Sequence, residues 1–183
     1  MGVTSALLTA IQVGVLVFLF PLYLLTHAGF GPKAVGTVVS LGVLGRLMAL
    51  WLGGTLSDRW GRMPVLIRGL LVYALLLAGT SRLTGPVLLG VCSLAVGATA
   101  GFVAAVPTAL TSDQVAPPLQ GVAIGWIRTM SDSGQIVGPL AMGALADVLD
   151  LSAPFLVGAV LLAGAAWQCR RQANTMSLAG KDS

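Results

Sequence analysis

The chain has 183 residues, of which 56% are hydrophobic and only 9% charged, with a net charge of +4. A soluble domain carries about 25% charged residues, so a chain this poor in charge cannot cover a water-facing surface, and its mean hydropathy of +0.94 points to a polytopic helical membrane protein. Nucleic-acid binding is excluded as well, because the few Lys and Arg fall near predicted helix ends, where they read as topology signals.

A membrane-spanning helix needs about 20 apolar residues, and the chain supplies six such stretches. The first, 3–26, carries Gln12 in its interior and Pro21 and Tyr23 toward its far end. Met1–Ser5 holds no Lys or Arg, which does not fit a secretory signal. After Gly29, Gly31 and Pro32 comes the second, 34–56, with Arg46 twelve residues before Asp58 and so roughly 18 Å from that end. The third, 64–81, follows the polar run Ser57–Met63. The fourth, 86–110, contains Cys92 and Pro107 and stops before Pro117 and Pro118. The fifth, 119–146, holds Arg128, Asp132 and Gln135. The sixth, 153–169, begins beyond Asp147–Ser152 and leads into Arg170 and Arg171. Residues 1–170 are thus expected to form one six-helix bundle, and 171–183 an irregular, polar cytoplasmic tail.

Orientation follows from Lys and Arg. With both termini in the cytoplasm, Arg59, Arg62, Arg170, Arg171 and Lys181 all lie on that side, and only Lys33 and Arg82 lie outside. An internal repeat appears at an offset of 89 residues: Gly54–Asp58 aligns with Gly143–Asp147, Gly36 with Gly125 and Gly45 with Gly134. Asp58 ends the second helix inside and Asp147 ends the fifth outside, the pattern of two three-helix units related by inversion. Cys92 and Cys169 have neither metal nor disulfide spacing, and His27 stands alone. No catalytic constellation, metal site or cofactor motif is present, so an enzyme is not expected.

Charged and polar residues at membrane depth are costly and face cavities or partners. Gln12, Arg46 and Gln135, with Tyr23 near the outer end, are the candidates for lining a substrate path. Arg46 paired to Gln12 or to a backbone carbonyl, without ligand contact, is the alternative. Arg128 and Asp132 are four residues apart on one helix face. With Asp58 and Arg62 they form a candidate charge cluster, either a switch that breaks and re-forms or a permanent ion pair. Taking Asp147 as the outer edge places Asp132 roughly 22 Å and Arg128 roughly 28 Å inward, near the cytoplasmic end. Pro21 and Pro107 kink the first and fourth helices, as gates or as packing bends.

Residues Gly54-Thr55-Leu56-Ser57-Asp58-Arg59-Trp60-Gly61-Arg62 resemble the G-x-L-[SA]-D-R-x-G-R loop of the major facilitator superfamily, between the second and third helices of a six-helix half. Met63 departs from the basic residue that commonly follows. The resemblance covers essentially the whole bundle. It implies that Gly54, Asp58, Arg59, Gly61 and Arg62 latch one conformation, acting with Arg128 and Asp132. Gly134, Gly138, Pro139 and Gly143 are similar to the antiporter signature G-x-x-x-G-P-x-x-G-G, with Met142 in place of one glycine; a small-residue packing seam with a proline kink explains them equally. Ser112–Pro118, Gly121, Arg128, Asp132 and Gly138-Pro139 look more like the tenth and eleventh helices of such a transporter, which favours the C-terminal half.

The fold expected is an all-α membrane protein, six transmembrane helices as two inverted three-helix repeats. The function implied is transport of a small molecule by alternating access, as part of a secondary transporter of the drug or metabolite efflux type in the inner membrane. The partners implied are membrane lipid, a small-molecule substrate, and either the missing N-terminal six-helix half or a second copy of the chain. A half-size homodimeric transporter and a truncated, non-transporting membrane protein are the alternatives.

Overall fold

The computed structural model describes residues 2–83 and 85–179, except for the side chains of 53–59, 105, 112–114, 172 and 174–179. Six long helices follow one another: α1 (Gly2–Thr26), α2 (Pro32–Trp60), α3 (Arg62–Thr80), α4 (Pro86–Gln114), α5 (Gln120–Val148) and α6 (Ala153–Ala179). The first four breaks fall where the sequence places Gly and Pro, and the fifth at Asp150 and Ser152. The sharpest is a single residue, Gly61, whose φ of 83° ends α2 and starts α3; a side chain there would be strained, so only glycine lets two spans meet with no loop. Pro64 sits within the first turn of α3, where its missing N–H leaves no helical bond unmade.

Two stretches differ from expectation. The polar segment after Cys169 is helical as far as Ala179, because Arg, Gln, Ala and Met are good helix formers and simply prolong α6. In α1, Pro21 does not produce a plain kink. The preceding residues, Gln12–Leu19, widen into a π-helix, and Phe20 N–H bonds to the Val15 carbonyl five residues back. A proline breaks the ordinary ladder, and the wider turn re-pairs the freed backbone groups.

Among the described residues five of the helices are long and apolar enough to cross a membrane, α5 being the exception. Its length is sufficient, at 29 residues, but Arg128, Ser131, Asp132 and Gln135 lower its hydropathy, and these side chains line a cavity at which Arg128, Asp132 and Gln135 are exposed. The protein is therefore an all-α membrane protein in which α5 carries a cluster of polar residues along its middle.

The packing reproduces the repeat. Helix α1 packs chiefly on α5, α2 on α4, and α3 on α6. Under a repeat that equates α1 with α4, α2 with α5 and α3 with α6, the first two pairs exchange and the third maps onto itself. With α2 and α5 aligned at an offset of 89 residues and α1 and α4 at 88, the contacts agree. Gly45 lies against the Leu94 carbonyl and the Ala98 nitrogen, and Gly134 lies against the Ala6 carbonyl and the Ala10 nitrogen. Ser93, across from Gly42 on the α2–α4 seam, donates to the Val38 carbonyl at 2.8 Å. Its counterpart Ser5 meets Ser131 Oγ at 2.6 Å across the α1–α5 seam. Helices without lipid-repelling faces associate by such close backbone approach and cross-helix hydrogen bonds.

The fully buried large side chains come from α1, α3, α4 and α6: Ile11, Val15, Leu66, Leu70, Leu77, Val103, Phe155 and Leu162 among them. Helices α2 and α5 flank this core and turn apolar faces outward, with Leu44, Leu47 and Met48 on one and Ile136, Val137 and Leu140 on the other.

Candidate functional site

The midpoints of the helices carry the site. Gln12, Arg46, Tyr73 and Gln135 each lie near the middle of their own helices, and all four line a cavity of about 320 Å³. Ser5, Thr9, Thr108, Arg128, Ser131 and Asp132 complete its polar wall. The seams explain why these residues converge. Glycines bring α1 onto α5 and α2 onto α4 at backbone distance, so polar side chains on the inner edges of those helices share a small space.

Gln12 is buried, at 8% exposure. With its amide oxygen turned toward α2, Gln12 Oε1 accepts from Arg46 Nη1 at 2.8 Å and from Arg46 Nε at 3.1 Å. The bridge spans α1 and α2 and answers part of the cost of a guanidinium at this depth. A second cavity, of about 160 Å³, lies beyond it, lined by Leu16, Phe20, Val43 and Val96. Gln12, Arg46 and Ala100 belong to both walls. The bridge is thus a partition between a polar and an apolar space.

On α5, Asp132 accepts from Gln135 Nε2 at 3.0 Å. Among the described residues no ion pair closes between Asp132 and Arg128. The placement of Asp132 also differs from expectation. Helix α5 starts at Gln120, so Asp132 is twelve residues, roughly 18 Å, from that end and close to the middle. It stands with Arg46 and Gln12, because α5 is longer than a bilayer core of about 30 Å requires. The sequence-predicted latch is described only in part. The surroundings of Gly54 and the side chains of Asp58 and Arg59 lie outside what the structure describes; Gly61 makes the turn, and Arg62 opens α3.

Tyr23 stands apart from the cavities. It is buried, donates to the Ser81 carbonyl at 3.3 Å, stacks on His27 at 5.3 Å and meets Phe155 at 5.4 Å. Pro107 lines the polar cavity, and its carbonyl accepts from Thr111 Oγ1 at 3.0 Å. Gly134 and Gly138 form the α1–α5 seam with Ala6 and Ala10, while Pro139 lies inside α5. Gly143 has open space on its Cβ side. Met142, which stands where the antiporter signature has glycine, is buried against Gly14. Tyr73 and the Ser5–Ser131 pair are functional candidates that sequence reasoning missed. A tyrosine in mid-span, where phenylalanine or leucine would suffice, was the signal for the first.

At the opposite end of the bundle, the Asp150 carboxylate accepts from Ser152 Oγ at 2.5 Å and from the Leu151 N–H at 2.7 Å just before α6. These bonds, that from Ser152 foremost, hold its carboxyl below the usual carboxylate range. At the Arg-rich end, the Arg171 guanidinium lies 3.6 Å over the Trp167 ring, an arrangement suited to a membrane interface.

A match to the Major Facilitator Superfamily extends over residues 3–173. Among curated relatives, the chain is 28% identical over 163 residues to the multi-drug resistance efflux pump PmrA of Streptococcus pneumoniae, covering 86% of this chain and 40% of that protein. It is 32% identical over 127 residues to the multidrug resistance protein MdtG of Proteus mirabilis, covering 69% and 31% of the two chains. It is 32% identical over 124 residues to the multidrug resistance protein MdtM of Escherichia coli, covering 67% and 30%. The chain therefore spans less than half the length of each.

Proposed function

The chain belongs to the Major Facilitator Superfamily, and from that membership we propose that it is one six-helix half of a secondary transporter that moves a small molecule across the cell membrane by alternating access, in the efflux direction. One observation carries this reading: a cavity of about 320 Å³, walled by hydrogen-bonding and charged side chains, reaches the mid-height of a bundle otherwise packed with Leu, Val, Ala and Gly. Polar groups at that depth mark solute pathways. The relatives named as multidrug pumps support an amphipathic, drug-like substrate.

A second six-helix half covers the cavity-bearing face in this reading, seated on the outward apolar residues of α2 and α5. Leu47 and Met48 on α2 and Ile136 and Leu140 on α5 are available to it. The turn at Gly61, with Asp58, Arg59 and Arg62, is proposed to latch this half against the other, and Arg128 and Asp132 to sense the cavity side of the same motion. The six-helix bundle occupies residues 1–170, and the basic end, with both termini, faces the cytoplasm of the inner membrane.

The test is energised efflux of amphipathic fluorescent dyes, anionic and cationic, from liposomes containing the purified chain, alone and together with its six-helix partner. Dye movement abolished by Arg46→Ala is the expected result. Movement by the chain alone, with cross-links forming between Leu47→Cys copies, would favour the homodimeric form. Absence of flux in every assembly would refute transport.

A further inference from the structure

The wall of the polar cavity holds more donors than acceptors. Arg46 has five N–H groups and no acceptor, and Gln12 takes bonds from two of its nitrogens. The Tyr73 side chain is 1% exposed and lines the same cavity. Its hydroxyl has no partner among the described residues. Arg128 adds a second guanidinium. Among the described residues Asp132 supplies the one carboxylate of the wall, and Gln135 already bonds to it. A buried hydroxyl left unpaired and a guanidinium half used both favour a ligand that accepts hydrogen bonds.

The second cavity defines the rest of that ligand. It shares Gln12 and Arg46 with the polar one, and Leu16, Val17, Phe20, Val39 and Val96 give it an apolar lining. We propose that the site binds an amphipathic anion whose carboxylate sits between Arg46 and Tyr73, replacing the Gln12 oxygen on the guanidinium, and whose apolar body enters the adjoining cavity. Planar carboxylate matches the guanidinium fork in two parallel hydrogen bonds, which a single amide oxygen cannot offer. Release of Gln12 removes the partition, so the two spaces become one. Because Gln12 opens the π-helical stretch of α1, its freed side chain has a widened helix turn to move against.

The proposal deepens the reading of this cavity as a solute site, yet it is tested by binding and not by flux. The probes are anthracene carboxylate and its aminomethyl counterpart, the same ring with opposite charge. Each is titrated by fluorescence anisotropy against the full chain in neutral-lipid nanodiscs, with empty nanodiscs subtracted. The carboxylate is expected to bind at least about tenfold tighter than the amine. Arg46→Gln is expected to weaken it by about tenfold or more, and Tyr73→Phe by roughly threefold to tenfold. Tyr73→Phe is also expected to unfold at a temperature no lower than the parent, since it removes an unpaired buried hydroxyl. That variant keeps the test decisive if Arg46→Gln does not fold. Equal or tighter binding of the amine, or carboxylate binding unchanged in Tyr73→Phe, overturns the proposal. Carboxylate binding without transport leaves this inference standing and sinks the transport reading; transport of cations without carboxylate binding does the reverse.

Discussion

Replacing glycine by alanine inside a helix ordinarily stabilises it, by about 0.8–1 kcal/mol. The seams reverse that sign at chosen positions. A Cβ on Gly134 would collide with the Ala6 carbonyl oxygen and stand 3.0 Å from its carbon and 3.2 Å from the Ala10 nitrogen. One on Gly45 would collide with the Leu94 carbonyl oxygen and stand 3.2 Å from both its carbon and the Ala98 nitrogen. Every one of these atoms is backbone, so no side chain can rotate away and the helices must part. Overpacking of this kind costs about 1–3 kcal/mol. Gly125 and Gly143 lie in the same α5 helix with nothing within 4 Å of the Cβ position. Gly134→Ala and Gly45→Ala are therefore expected to lower the unfolding temperature in detergent micelles by roughly 3–10 °C, at about 2–4 °C per kcal/mol for a chain of this size. Gly125→Ala and Gly143→Ala are expected to leave it unchanged or raise it. The repeat adds a quantitative condition, that the two seam variants lose similar amounts because their contacts are the same. Equal behaviour of Gly134→Ala and Gly143→Ala would refute the seam, and a large loss confined to one seam would refute its twofold character.

The depressed carboxyl of Asp150 has a definite pH signature. A group whose folded pKa lies below its unfolded value stabilises the fold above about pH 4, and that contribution disappears as pH falls through the depressed value. Asp150→Asn should then be less stable than the parent at pH 6, with the difference closing below about pH 4; a gap that persists undiminished at low pH contradicts the assignment. The orientation is checked by cysteine labelling in intact cells. Lys33→Cys and Arg82→Cys are expected to react with a membrane-impermeant maleimide from outside, and Arg170→Cys only after permeabilisation. The native Cys92 and Cys169 are buried and should contribute little background. The opposite labelling pattern would invert the bundle.

Much of this architecture was written in hydropathy and in glycine. Five of the six helices are continuous apolar stretches, so their existence followed from length and composition alone, whereas α5 is legible by its length and its bounding turns. The offset of 89 residues between Gly45 and Gly134 was visible because a close helix crossing tolerates nothing larger than glycine at its centre. What the sequence did not reveal is which polar residues meet. Gln12, Arg46 and Gln135 were legible as mid-span polarity, which has few inexpensive explanations in lipid. Tyr23 looked equivalent by the same criterion, yet its hydroxyl reaches a loop carbonyl at the bundle's edge. Tyr73 carries a hydroxyl that an apolar span does not need, but an aromatic residue in an apolar helix carries no sign of which way it points. The direction comes from tertiary packing. Helix α3 lies beside both α4 and α6, and the turn that holds Leu70 and Leu77 in the core aims Tyr73 at the space left where the α1–α5 and α2–α4 seams pass each other. Close seams on either side leave a gap between them at mid-height, and the chain fills that gap with hydrogen-bonding groups instead of leucine. That choice lowers the stability of the bundle, since an unpaired buried hydroxyl costs about 1–3 kcal/mol. Packing alone gives no reason for it, so the proposed solute site rests on the cavity residues more than on the motif loop.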